Sequence, residues 1–559
     1  MPIKPPLTRL EIRTAESGFY RGFTKDVTIT AKLIIGALVI WAIAFPEQAA
    51  GFLGRINGFI LSSFNHWYMY TTAAFLLACL VLALVPASGR LRLGRPEDRP
   101  EFSRISWFSM MFGAGLGIGV LTYSTGEPLY HFQSNPDTIA GLIVAGETET
   151  VRSAFKWTFF HWGLTAWGTY SLTGLALAYF AYRRGLPLTI RSGLASLFGR
   201  RLSGPLGHAV DVIAVVATVL GVAQTLGYGV AQFVAGLHRI GLGDWLLSTG
   251  ADGAATPSAA AILVSVGVIL GASTLSALSG VGRGIKWLSN INMGLSVALL
   301  LFFLVFGATL AGLQAFGLGT LDYVASLPSM ALSVWSEGDE TATALAGWQS
   351  GWTIFYWAWW IASAPFVGLF LARISKGRTI REFVLGAMIA PSAMCFVWFA
   401  LLGATAIDLE MSGLAQGSIL GAPVSDQIFA ALALLLEPAF AWVASVLVVV
   451  LLLTYQITTA DSAVLIINTI NAAGDDSPKA RPHILFWGAA LALVVGALLI
   501  IGGLGAIQTA MVIAALPFSV VMLLMGLSLF KAIGRDLRRE RMGLPTIAEP
   551  IASAFAPVT

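Results

Sequence analysis

Charge is what this sequence has least of. Of its 559 residues, 11% are Asp, Glu, Lys or Arg and 57% are hydrophobic, whereas an average soluble protein carries roughly 25% charged residues. So little charge cannot cover a water-facing surface, and the chain reads as an all-α polytopic membrane protein. Cysteine is nearly absent as well. Cys79 and Cys395 both sit in apolar runs, which excludes a disulfide framework and a thiolate metal site. Zinc-binding histidine signatures, the Walker loop and the dinucleotide glycine fingerprint are missing. No nucleophile, base and orienting group converge, so neither an enzyme nor an organic cofactor is expected. The first apolar run, from near Val27, has no small-residue cleavage site soon after it and reads as a retained span.

Apolar segments, by contrast, are abundant. At about 20 residues per crossing, spans fall near 27–46, 68–87, 107–126, 155–182, 208–237, 258–276, 285–312, 350–372, 383–407, 434–470, 483–502 and 508–530. That makes twelve, with both termini on one side. If that side is cytoplasmic, the tails and even-numbered loops hold 28 of the 33 lysines and arginines, from Lys4 and Arg9 through Arg183, Arg283 and Lys479 to Arg541. The odd loops carry acids instead, among them Asp137, Glu147, Asp322, Glu337 and Asp408. A miscounted span would invert this pattern beyond it, and nothing inverts. The net charge of +4 is therefore a topology signal, not a sign of nucleic-acid binding. The expected location is the bacterial cytoplasmic (inner) membrane, with the lipid bilayer as partner and both termini cytoplasmic. The external loop near 313–349 is expected to hold a surface helix around Leu321–Trp335.

Two spans are interrupted in ways a plain anchor would avoid. The third places Gly113, Gly115, Gly117 and Gly119 at alternate positions, each costing roughly 1 kcal/mol of helix stability relative to alanine. The eighth, Gly351–Phe366, holds Trp352, Trp357, Trp359 and Trp360 and is expected to break at Pro365. Spans 3 and 8 each open a group of five, and matching broken helices mark the midplane site of an inverted-repeat transporter. Aromatic faces carry negative quadrupole potential, so a cluster of them can hold a methylated ammonium that offers no hydrogen bond. At 100° per residue Trp162, Trp167 and Tyr170 share one face of span 4. Phe355, Trp359, Ser363 and Phe366 form a stripe on span 8, while Trp357 points away and reads as packing. His161 reads as a packing residue, and Glu127, before Pro128, as a hinge. Asp211 and Asp461, ionisable within apolar spans, remain open between function and helix bridging.

Six stretches carry a family resemblance: Gly113–Gly119, Gly126–Leu129, His161–Leu164 with Trp167 and Tyr170, Trp352–Trp360, Phe370–Arg378, and Thr458–Ser462. Through them the chain resembles the betaine/carnitine/choline transporter (BCCT) family, in family order over nearly its whole length. The resemblance implies a LeuT-like fold of two inverted five-helix repeats behind two extra helices, and a homotrimer. The domains would be 1–26 (cytoplasmic tail), 27–100 (two helices), 101–315 (first repeat), 316–348 (external loop), 349–530 (second repeat) and 531–559 (short tail). It implies an aromatic box of Trp162, Trp167, Tyr170 and Trp360, with Trp359, Phe355 and Ser363 beside it. Ser363 stands where the family carries an aromatic residue, which leaves room for carnitine, choline or a sulfonium such as dimethylsulfoniopropionate beside glycine betaine.

The same resemblance implies sodium as the coupling ion. One site would take the carbonyls of Gly113, Leu116 and Tyr455 with the hydroxyls of Thr458 and Thr459, since a hard cation prefers oxygen. A second would use Thr218 and Phe366, although the expected hydroxyl four residues after Thr218 is Val222. Family members that couple to protons carry an aspartate at the position of Gly119. Sodium-independent exchangers carry an arginine in the helix that here reads Asn290–Met293. The expected activity is sodium-coupled symport of an onium solute by alternating access. The alternatives are sodium-independent precursor/product exchange and an osmotically gated carrier, the latter disfavoured by the short C-terminal tail.

Overall fold

The computed structural model describes residues 5–115, 117–249, 255–279, 284–475, 477 and 480–546. Leu116, Lys4, Arg283 and Lys479 thus lie outside the described residues. Among the described residues helix dominates, with one short antiparallel strand pair, β1 (Leu247–Thr249) and β2 (Ala255–Pro257).

Helix α1 (Lys25–Ala44) stops at Phe45 because Pro46 disfavours helical backbone in the residue before it. That proline opens α2 (Pro46–Ser63), where its missing N–H is no loss. Nothing in the sequence pattern had suggested α2. After α3 (Asn65–Leu84), the third predicted span appears as α4 (Arg104–Gly115) and α5 (Ile118–Gln133), parted by fully extended backbone at Gly117 (φ −175°, ψ −174°). Gly115 closes α4 and Gly119 lies in the first turn of α5, so Gly117 is the described residue of the break.

The fourth span is also two helices, α6 (Thr148–Trp162) and α7 (Leu164–Ala178). Gly163 parts them (φ −97°, ψ −147°), and the Leu164 N–H donates to the Tyr323 hydroxyl at 2.8 Å instead of continuing a helix. Trp162 therefore does not share a single helical face with Trp167 and Tyr170, contrary to the wheel argument. The chain continues through α8 (Pro205–Arg239), α9 (Ala259–Ser279) and α10 (Gly284–Phe306). The helix expected in the loop after the seventh span, α11 (Thr309–Leu332), begins well before the expected Leu321, because that span already ends at Phe306.

Next come α12 (Glu340–Gln349), a π-helical turn at Ser350–Ile354, and α13 (Phe355–Arg373). The expected break at Pro365 does not occur; α13 runs straight through it. Proline is tolerated within a membrane helix when neighbouring helices hold its backbone in place. One turn before Pro365, α8 presses against α13 so closely that a Cβ on Gly221 would lie 2.9 Å from the Ala362 carbonyl carbon. The remaining helices are α14 (Ile380–Met411), α15 (Gln427–Leu435), α16 (Pro438–Asn471) and α17 (Arg481–Arg541). The last is broken at Gly502 and Gly503, the latter left-handed at φ 61°.

Among the described residues, nine helical segments are long and apolar enough to cross a membrane. The third and fourth predicted spans are absent from that count because each is split into shorter helices, and the last two fuse in α17. Large apolar side chains stay exposed on outward faces, including Leu33 and Ile40 on α1, Leu263 on α9 and Leu301 on α10. Lipid tails accept such a surface, whereas water would not. Inside this belt α7 and α13 lie together, with Gly174 and Gly368 meeting backbone to backbone.

Candidate functional site

The break at Gly117 borders a cavity of about 550 Å³, which Trp162, just before the break at Gly163, also lines. Its wall includes Trp162, Trp167, Tyr170, Trp359, Trp360 and Ser363. Trp360 is the hub. Its ring lies 5.5 Å from Trp162 at 83°, 5.6 Å from Trp167 at 60° and 4.9 Å from Tyr170 at 61°. Its indole N–H donates to the His161 carbonyl at 3.1 Å, two residues before the break at Gly163. The broken α6–α7 junction thus fixes both the box residue Trp162 and the ring opposite it.

Trp359, one residue earlier on α13, is held by its N–H on the Thr225 hydroxyl at 3.1 Å. Beyond it the cavity is closed by Tyr123, whose ring lies within 6.5 Å of those of Trp162, Trp352, Tyr356 and Trp359. The Tyr123 hydroxyl donates to that of Tyr228 at 2.6 Å. In the other direction the wall follows α13 through Phe366 and Phe370, and includes Ser109 and Ser289 near the starts of α4 and α10. The site is therefore sealed toward the N-terminal end of α13 and lined toward its C-terminal end. Phe355 is not among the residues lining the cavity; buried, it packs tilted at 34° against Trp359 with centroids 5.6 Å apart.

Oxygen atoms gather on a second part of the same wall. Gly113, Asn292, Tyr455, Thr458 and Thr459 all line it. The Thr458 hydroxyl receives Asn292 Nδ2 at 3.0 Å and donates to the Thr454 and Tyr455 carbonyls at 3.0 Å each. The other amide atom, Asn292 Oδ1, is buried without a hydrogen-bond partner, a state that normally calls for an unseen ion or water. This donor set of hydroxyls, amide oxygen and helix-break backbone suits a hard cation. Leu116 falls outside the described residues. Phe366 lines the cavity, but Thr218 does not; its hydroxyl donates to the Ala214 carbonyl at 2.8 Å within α8.

Two further groups emerge that the sequence reading passed over or treated as structural. Asn292 is one. The other is Glu127, fully buried behind Trp162. Its Oε2 accepts from Trp162 Nε1 at 2.7 Å and from the Tyr356 hydroxyl, and its Oε1 faces His161 Nδ1 at 2.7 Å and His131 Nε2 at 3.3 Å. Pro128 alone could bend α5, so the hinge reading leaves this carboxylate unexplained. Asp211 receives Arg191 in a wholly buried ion pair at 2.6 Å, and Asp461 receives the Ser276 hydroxyl at 2.6 Å; neither lines the cavity.

The model of the betaine/carnitine/choline family of transporters, BCCT, matches residues 26–538. The chain belongs to the BCCT family. It is 38% identical over 512 residues to the glycine betaine transporter OpuD of Bacillus subtilis, covering 91% of this chain and 94% of that one. It is 37% identical over 529 residues to the high-affinity choline transport protein of Escherichia coli, covering 94% of this chain and 74% of the other. A glycine betaine transporter of Acinetobacter baylyi is 36% identical over 525 residues, covering 93% and 75%. This BCCT chain is accordingly a multi-pass membrane transporter and not an enzyme.

Proposed function

We propose that this transporter is a sodium-coupled symporter that brings a quaternary ammonium or sulfonium solute of the glycine betaine, choline, carnitine or dimethylsulfoniopropionate class into a bacterial cell. The observation that carries the reading is the meeting of Trp162, Trp167 and Tyr170 around Trp360 on one cavity wall. Desolvated cation–π contacts contribute up to about 2 kcal/mol each, and several rings together can hold a cation that has no N–H to donate. No Asp, Glu, Lys or Arg is among the described residues lining the cavity. A net neutral wall suits a zwitterion as well as a simple cation, and the want of an arginine beside Asn292 speaks against ion-free exchange.

Sodium would sit among Gly113, Tyr455, Thr458, Thr459 and the free oxygen of Asn292, one break in the α4–α5 backbone away from the solute. Shared walls give the coupling a physical basis, since an ion that orders the break at Gly117 also orders the box. The topology proposed with this function is twelve crossings with cytoplasmic termini in the inner membrane, two inverted repeats of the LeuT type, and a homotrimer. In that orientation the packed rings of Tyr123 and Tyr228 face outward, and the wall that runs on to Phe370 leads toward the cytoplasm.

Tryptophan-fluorescence binding on purified protein tests the class of solute, scanning glycine betaine, choline, carnitine, dimethylsulfoniopropionate and trimethylamine N-oxide in sodium and in potassium. A sodium-dependent shift for one of them is expected. Folded protein that responds to none would remove the onium class.

A further inference from the structure

A pocket for a cation has no carboxylate in its described wall, yet one stands directly behind it. Glu127 is fully buried, and an ionisable side chain at membrane depth is costly enough that its partners carry information. They come from three helices: His131 on its own α5, Trp162 and His161 on α6, and Tyr356 on α13. His161 is held in turn by the Thr353 hydroxyl at 3.0 Å. Of these partners only Trp162 also lines the cavity.

Resting on the onium reading above, we propose that Glu127 is a positioning residue for the cation site that acts through Trp162. The bond from Nε1 to Oε2, 2.7 Å long, fixes the plane of the indole. A charge-assisted bond of this kind also polarises its donor. Electron density moves from the N–H into the ring, and the ring face becomes more negative where a cation would rest against it. The carboxylate thus contributes attraction for positive charge without entering the pocket, where it would repel the carboxylate end of a zwitterion. Glu127 on this account sets how strongly the box prefers a charged head group over a neutral one of the same shape.

Two isosteric pairs measure that preference directly: choline against 3,3-dimethyl-1-butanol, and glycine betaine against 3,3-dimethylbutanoate. Binding of each is measured to the full-length protein in saturating sodium, and the charged-to-neutral affinity ratio is taken from the pair that binds more tightly. The ratio is expected to fall by about tenfold in Glu127→Gln, which keeps an acceptor but loses the charge. Trp162→Phe, which keeps a ring but loses the N–H, is expected to lower it comparably, and the double variant is expected to fall no further. If Glu127→Gln weakens both members of a pair equally, or lowers the ratio as much in the Trp162→Phe background as in the wild type, the carboxylate is a structural tie and the proposal is overturned. If the wild type itself does not distinguish the pairs, the onium reading fails instead. Should Glu127→Gln not fold, replacing the Trp162 indole by its sulfur isostere benzothiophene removes the N–H with Glu127 intact. The same fall in ratio is expected there, and an unchanged ratio would overturn the proposal.

Discussion

Gly119 and Trp162 stand so close that a Cβ on the glycine would lie 3.1 Å from Cη2 of the indole, and at 3.1 Å from the same atom of Trp359. The first turn of α5 thus wedges between two tryptophans of the cavity wall. Gly119→Ala should part them, since overpacking a tight site typically costs about 1–3 kcal/mol. Expected is a loss of solute affinity of about fivefold or more in protein that still runs as a single species on size exclusion. Unchanged affinity would mean that the two indoles need not stay where they are for binding.

Trp360→Ala removes the ring that touches Trp162, Trp167 and Tyr170 together. Binding is expected to weaken by well over tenfold, with the protein still inserted in the membrane. Uptake at the wild-type rate would place the solute elsewhere.

Ser363→Trp returns an aromatic face to a wall position that here carries a small hydroxyl. Competition binding is expected to show preference shifting toward glycine betaine over choline. An unaltered profile would count against any part for Ser363 in choosing the solute.

Asn292→Ala deletes both the amide that binds Thr458 and the free buried oxygen. The sodium concentration for half-maximal binding should rise by about tenfold or more, at least what losing a group that supports a metal site costs, while affinity for solute in saturating sodium changes little. Equal loss of both would assign Asn292 to the solute instead.

Tyr323→Phe tests the part played by α11. The Tyr323 hydroxyl accepts the Leu164 N–H at the break between α6 and α7. Leaving that donor unpaired costs about 1–3 kcal/mol, so a lower melting temperature is expected, with solute affinity in folded protein reduced through Trp162. Unchanged stability would show that the break holds without α11.

The parts of this molecule that could be read from sequence are those written locally. Apolar length gave the helices, and alternate glycines pointed to the interruption that falls at Gly117. The resemblance grouped Trp162, Trp167, Tyr170 and Trp360, which do share one cavity, but the helical-wheel argument offered for three of them assumed a continuous span. Gly163 interrupts that span, and its partner Tyr323 lies far away in the chain. Pro365 misled for the opposite reason: a local breaker was overridden by α8 packed against α13. Glu127 and Asn292 escaped because what makes them notable, the indole of Trp162 and His161 for one and Thr458 for the other, arrives from other helices. α2, an amphipathic segment, lies between the first two predicted spans and is less apolar than a crossing needs, so a search for crossings does not pick it out.

The most direct test of the central claim is uptake by proteoliposomes loaded with potassium and placed in sodium, with labelled glycine betaine or choline equal in concentration on both sides at the start. Net accumulation driven by the sodium gradient, and abolished when potassium replaces sodium outside, is the predicted result. Accumulation that persists without sodium, or exchange of label with no net uptake, would contradict sodium-coupled symport.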